Sequence, residues 1–367
     1  MQGIYVLRSL ESKMLYNPRL DSSMVNSGSV RPLDAKVVIW MPAVSAALYP
    51  WILDAFHWVV APAEGKSDPL SANALLAAAL LLIAAFAVPL ICLMTAGRAT
   101  HAAPGESTRA RRLALLAVAA PTLYVFFGVL TYMAGSKIAD TWIWSPAWLL
   151  LGYWASRESA PGTLSLAQPS SRLRVAHGIA GAITALYVLF HIFNHLFGLI
   201  SPQAHAAVMD IGRTVYRTAA IEPLLVAIML FQIVSGLRLA WTWTETKADR
   251  YRVFQVASGV FMSMFILGHM NSVFIYARTF LDIPTDWAFA AGLPAGLIHD
   301  AWNIRLLPHY ALGVFFVLTH LFSGLRVVLL AHRVDESRAN RIWWLGAGIS
   351  LLISAAIMSG MTGLRLI

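Results

Sequence analysis

The chain has 367 residues, of which 58% are hydrophobic and only 12% charged, with a net charge of +9 and one cysteine, Cys92. Uncharged runs longer than about 18 residues make it a polytopic membrane protein of the all-α class. One thiol excludes a disulfide framework, a four-thiolate iron–sulfur cluster and a C-x-x-C-H haem attachment within the chain, and the positive charge reads as basic cytoplasmic loops, with no nucleic-acid partner.

Residues 1–36 are polar and lack the layout of a cleaved signal peptide, so a cytoplasmic N-terminal segment is expected. Apolar segments follow at 37–61, 70–96, 112–135 and 139–156, the first interrupted by Pro42, Pro50 and Asp54. They predict an N-terminal block of about four transmembrane helices over 37–156. Pro, Gly, Ser and charge then concentrate in a linker at 157–171. Five further segments, at 172–199, 219–242, 252–281, 306–331 and 341–363, form a C-terminal domain over 172–367. The expectation is about nine spans in the cell (inner) membrane, with the N-terminus in the cytoplasm and the C-terminus outside. That threading places 20 of the 27 Lys and Arg residues on the cytoplasmic side, as the positive-inside rule requires.

The C-terminal domain is internally duplicated. RVAHGIAGAITALYVLFH, from Arg174 to His191, aligns with RVFQVASGVFMSMFILGH, from Arg252 to His269, at an offset of 78 residues. The shared pattern is R-V-x-[H/Q]-x3-G-x9-H, and it sets His177 against Gln255, Gly181 against Gly259 and His191 against His269. A second repeat, offset by 88 residues, relates FQIVSGLRLAW around Gln232 to THLFSGLRVVL around His320 through [Q/H]-x3-G-L-R. The order along the chain is therefore A-B-A-B, a duplication common in membrane bundles.

At 100° per residue, His177, Gly181, Thr184, Val188, His191 and His195 fall on one stripe of a helix. Gln255, Gly259, Met262, Ile266 and His269 form the matching stripe. Gly181, Gly259, Gly236 and Gly324 leave room for a neighbouring helix or a flat macrocycle. A rise of 1.5 Å per residue puts His191 about 25 Å beyond Arg174 but His320 only about 9 Å from Arg326. His191 and His269 then meet at an outer level, while Gln232 and His320 meet at an inner one. Two facing imidazoles suit the axial ligation of a b haem, whereas zinc wants three or four ligands.

These motifs resemble the membrane-anchor cytochrome b subunits of succinate:quinone oxidoreductases and quinol:fumarate reductases, over about residues 172–363. The resemblance implies a five-helix haem-binding core. It makes His191 and His269 the distal haem ligands, sets Gln232 and His320 at the proximal positions, and likens Glu222 to a family acid associated with quinone. It further implies haem b and quinone as cofactors, with an iron–sulfur subunit and a flavoprotein subunit docked on the cytoplasmic face to oxidise succinate or reduce fumarate. Glutamine is not a usual axial ligand. The inner level therefore stands open between no haem, a five-coordinate haem on His320, a haem that recruits His177, and one with Gln232 or water as ligand. The N-terminal block has no counterpart in the usual anchor.

Each of these residues also has a plain structural reading. An intramembrane histidine often hydrogen-bonds a neighbouring helix, and Glu222 sits where a helix N-terminus favours negative charge. His195 and His309 project at the outer level, where quinone, a propionate or interfacial water would meet them. The alternative function, in a different class, is a haem-free membrane scaffold or transporter derived from such an anchor.

Overall fold

The computed structural model describes residues 35–61, 70–99, 106–157, 170–246 and 248–366. The expected N-terminal segment up to residue 34, and residues 158–169 of the expected linker, lie outside the described residues. Those described are helical, without a strand among them. In the N-terminal block the helices are α1 (Ala35–Val60), α2 (Ala72–Arg98), α3 (Glu106–Val118), α4 (Ala120–Met133) and α5 (Asp140–Ser156). In the C-terminal domain they are α6 (Ser171–Leu196), α7 (Pro202–Tyr216), α8 (Ile221–Trp243), α9 (Arg250–Met270), the short α10 (Trp287–Ala290) and α11 (Gly296–His299), α12 (Leu306–Ala331) and α13 (Glu336–Met361).

Among the described residues, seven helices are long and apolar enough to cross a membrane, or eight if the bent pair α3–α4 is one span. The expected nine is not reached on length and composition. Helix α5 has 17 residues, a little short of the roughly 20 that match a 30 Å hydrocarbon core. The bend between α3 and α4 is 67°. Pro121, in the first turn of α4, has no N–H to continue the ladder from α3.

Proline also shapes α1, which contains Pro42 and Pro50. Pro50 cannot donate to the carbonyl four residues earlier, that of Ala46. Trp144 Nε1 of α5 donates to that oxygen at 2.7 Å, and Ser145 Oγ donates to the next carbonyl, Ala47, at 2.8 Å. The backbone acceptor that Pro50 leaves open, the Ala46 carbonyl, is thus filled from a neighbouring helix.

Side-chain caps start several helices. Ser201 Oγ accepts from Ala204 N ahead of Pro202 at the start of α7, and Asp249 and Asp335 cap α9 and α13. In the C-terminal domain α6 packs on α8, α8 on α9, and α9 on α12, while α6 and α12 touch only lightly across the space between. Helix α13 lies outside this ring against α12 and α6. The N-terminal block backs the ring from the α9 side, through α2, α3 and α4, and α4 also meets α12. Consequently Ala257 and Phe261 on the back of α9 are fully buried, whereas Val175, Ile179, Ile183 and Leu186 form an exposed apolar stripe on α6.

Polar contacts sort to two ends. At the end carrying Arg174 and Arg252, Arg111 Nη1 donates to the carbonyls of Thr244 and Thr246, and Arg112 pairs with Glu245 while lying 3.5 Å over the Trp241 ring. At the opposite end, called the far end below, Arg305 pairs with Asp140. After α9 the chain continues as a π-helix, Asn271–Phe280, an uncommon form that tends to occur near functional sites.

Candidate functional site

The ring of α6, α8, α9 and α12 encloses a cavity of about 740 Å³, within the usual range for ligand sites. It runs from Arg174, Trp243 and Arg252 at one end to Glu222 and Arg278 at the other. Both stripes expected from helical periodicity face it.

At the outer level the His191 and His269 rings lie with centroids 6.0 Å apart. Tyr187 stacks on His191 at 5.7 Å, and Phe265 stacks on His269 at 5.7 Å, nearly parallel. These aromatic contacts hold the imidazoles from behind. His195 Nε2 is 3.3 Å from His191 Nε2, so one nitrogen of the pair carries a proton and the other accepts it. His309 lies 4.6 Å from the Phe265 ring, and its Nδ1 has no hydrogen-bond partner.

The cluster extends beyond the expected residues. His205, in the segment between the spans expected at 172–199 and 219–242, is only 2% exposed. Its ring centroid is 5.1 Å from that of His195, and Asn194 Nδ2 donates to its Nε2 at 3.2 Å. Burial first, then the charge of Arg213, lowers its pKa to about 4. A usable signal was present: Ser201-Pro202 marks a helix start, and His205, Met209 and Gly212 recur at helical spacing on the buried face of α7.

At the inner level Gln232 and His320 make separate contacts. Gln232 Nε2 donates to the carbonyl of His177 at 2.8 Å and lies against Gly181. His320 Nδ1 is 2.9 Å from Ser258 Oγ, and its ring lies over Gly259. His177 Nδ1 is 2.8 Å from Ser235 Oγ, beside Gly236. Gly324 lines the cavity with open space before it.

At the far mouth Glu222 is held by Arg278 through contacts of 2.7 and 3.4 Å. Arg217 Nη2 donates to Thr285 Oγ1 and Arg213 Nη2 to the Thr285 carbonyl. Glu222 is therefore an ion-paired acid at the rim, while His195 and His309 lie inside.

Among the described residues, no group of three or more His, Cys, Asp or Glu side chains is arranged to hold a metal ion. The donor set consists of imidazoles facing a large apolar space, which suits a planar macrocycle with two axial positions better than a four-ligand metal site. No protein-family model, curated protein or solved structure matches the chain.

Proposed function

We propose that the chain is a haem b-binding, quinone-interacting membrane anchor of a succinate dehydrogenase- or fumarate reductase-like complex. Electrons would pass between an iron–sulfur partner and the membrane quinone pool. The observation that carries this reading is the His191–His269 pair: two buried imidazoles on different helices, centroids 6.0 Å apart, face one largely apolar cavity and would hold the haem iron between them.

The residues present fit the group. Beside this pair the buried ring nitrogens His195 Nδ1 and His309 Nδ1 lack partners. When bound, a b haem supplies one-electron transfer, with a potential set by ligands and burial. Tyr187 and Phe265 fix the planes of the two ligand rings. His195 Nε2, 3.3 Å from His191 Nε2, competes for the lone pair that ligation through that nitrogen would use, so His195 would have to turn away for His191 to hold the group. Apolar Val188, Met262 and Ile266 line the cavity between the levels and exclude water. Quinone is assigned to the far end, where His195, His309 and Glu222 would exchange its protons. The end bearing Arg174 and Arg252 is taken as cytoplasmic by the positive-inside rule, and it is where the iron–sulfur and flavoprotein subunits would dock.

A reduced-minus-oxidised spectrum of the purified protein tests the proposal. A b-type signal that is lost in His191→Ala and His269→Ala supports it. Absence of any such signal in the unaltered chain overturns it and favours the haem-free scaffold or transporter.

A further inference from the structure

We infer that α7 rests on the membrane surface at the far end, and that its Arg213 and Arg217 bind the phosphate head of an anionic lipid there. The inference does not rest on the haem reading.

Helix α7 has 15 residues, short of the roughly 20 that a span needs, and it is not among the spanning helices. Its side chains sort into three faces. His205, Met209 and Gly212 are buried against the bundle. Ile211 and Val215, one turn apart, are apolar and exposed at 68% and 59%. Asp210, Thr214 and Arg217 are also exposed, and they fall within about 60° of one another on a third, polar face. A helix with separate exposed apolar and charged faces lies in the boundary between acyl chains and water. The apolar surface continues onto the start of α8, where Ile221 and Leu224 are exposed.

Two guanidiniums converge at this level. Arg213 Nη2 donates to the Thr285 carbonyl at 3.1 Å, and Arg217 Nη2 donates to the hydroxyl of the same residue at 2.9 Å. Like charges one turn apart on a helix repel. The last turn of a helix favours cations, which accounts for either arginine but not for the meeting of both on one neutral residue. Their charge is only partly offset. Arg213 has Asp210 at 3.5 Å, a carboxylate 70% exposed, and Arg278 across the mouth has Glu222 at 2.7 Å. Among the described residues Arg217 has no carboxylate in ion-pair range, and Arg213 Nε is buried without a partner. Two converging guanidiniums with a desolvated N–H left over are the donor half of an oxyanion site.

A lipid phosphodiester meets both halves of the description. Its unesterified oxygens accept from the two arginines, and its acyl chains cover Ile211, Val215 and Leu224. A free oxyanion would satisfy the donors and leave that apolar surface bare. The position is also selective. On the expected topology the far end lies outside, where basic residues are sparse, so Arg213, Arg217 and Arg278 at one mouth are not part of the cytoplasmic charge bias.

Photo-crosslinking of the full-length protein in neutral detergent tests the inference. The probes are phosphatidylglycerol and phosphatidylcholine with the same acyl chains, each carrying a diazirine near the glycerol, and the labelled peptides are mapped by mass spectrometry. Phosphatidylglycerol should label residues 203–224 in clear excess over phosphatidylcholine. Arg217→Gln, at an exposed position, should cut that excess by about threefold, the scale of one exposed charge contact. Adding Arg213→Gln should abolish it, whereas Arg338→Gln, exposed at the other end, should not change it. The single variant decides the matter if the double one fails to fold. Equal labelling by the two lipids, or an excess unmoved by Arg217→Gln, overturns the inference. An excess removed by millimolar inorganic phosphate at constant ionic strength marks a free-anion site and overturns the lipid assignment. Haem content should be the same in Arg217→Gln as in the unaltered chain; a fall in haem with labelling unchanged gives the arginines to the cofactor and overturns it too. A chain without haem that still shows the excess sinks the haem reading alone.

Discussion

Arg305 and Asp140 form an ion pair at 2.7 Å across the seam between the N-terminal block and the histidine-bearing bundle. Both side chains are largely buried, at 9% and 14% exposure. The guanidinium also lies 4.4 Å over Tyr124, and Thr131 Oγ1 donates to the other carboxylate oxygen at 2.6 Å. Gly128 makes room, since a Cβ there would collide with the Arg305 guanidinium. The N-terminal block is thus fastened to the bundle at the far end as well as through Arg111 and Arg112 at the other.

Removing one partner of a buried pair leaves an uncompensated charge, which costs about 3–5 kcal/mol. Arg305→Ala and Asp140→Ala should each lower the unfolding temperature in detergent markedly. Replacing both by apolar residues of similar volume, Arg305→Met with Asp140→Leu, should recover most of the loss. A double variant as unstable as the single ones would show that loss of the pair itself, and not a stranded charge, sets the cost.

The bond from Trp144 to the Ala46 carbonyl exists because Pro50 has no N–H. Trp144→Phe should destabilise the protein by about 1–3 kcal/mol, the cost of an unsatisfied buried acceptor. In a Pro50→Ala background that carbonyl regains a backbone donor, so the same substitution should cost less. A double-mutant cycle by chemical unfolding measures the difference, and strict additivity would refute the coupling.

His205 should make stability depend on pH. Its folded pKa is lowered to about 4, against an unfolded value of about 6.5. The neutral form is the one the fold accepts. The contribution is fully present above about 6.5 and declines as the pH falls towards 4. His205→Asn should flatten the stability profile between those limits and leave it unchanged above 7.

Gly324 separates a cradle from a packing residue. Open space lies before it, and alanine is the better helix former by about 1 kcal/mol. Gly324→Ala should therefore leave thermal stability equal or slightly higher. On the haem proposal, Gly324→Phe, which fills the cavity wall near His320, should reduce any haem held at that level while the chain still folds. Unaltered haem content in Gly324→Phe would remove this residue from the cofactor surface.

Much of the architecture was legible in the sequence, because membrane helices are written in long apolar runs. Each of the nine predicted segments coincides with a helix or a helix pair, although only seven or eight meet the length of a span. The meeting of His191 and His269 follows from a repeat with helical spacing. Other features depend on three-dimensional packing. Hydropathy cannot register a 67° bend at Pro121, and Arg305 reads as one more external basic residue until Asp140 is found beside it. Gln232 looked like a defective ligand. Its bond to the His177 carbonyl depends on how α6 and α8 are rotated against each other, which residue spacing leaves undetermined.

The exposed stripe of Val175, Ile179, Ile183 and Leu186 has a consequence for how the interior communicates with its surroundings. The histidines lie behind a single layer of helix on the α6 side, but behind α9 and a second layer on the other. The bundle is insulated unequally. On the α6 side that stripe is itself the outer surface, whereas α9 is covered by α2, α3 and α4.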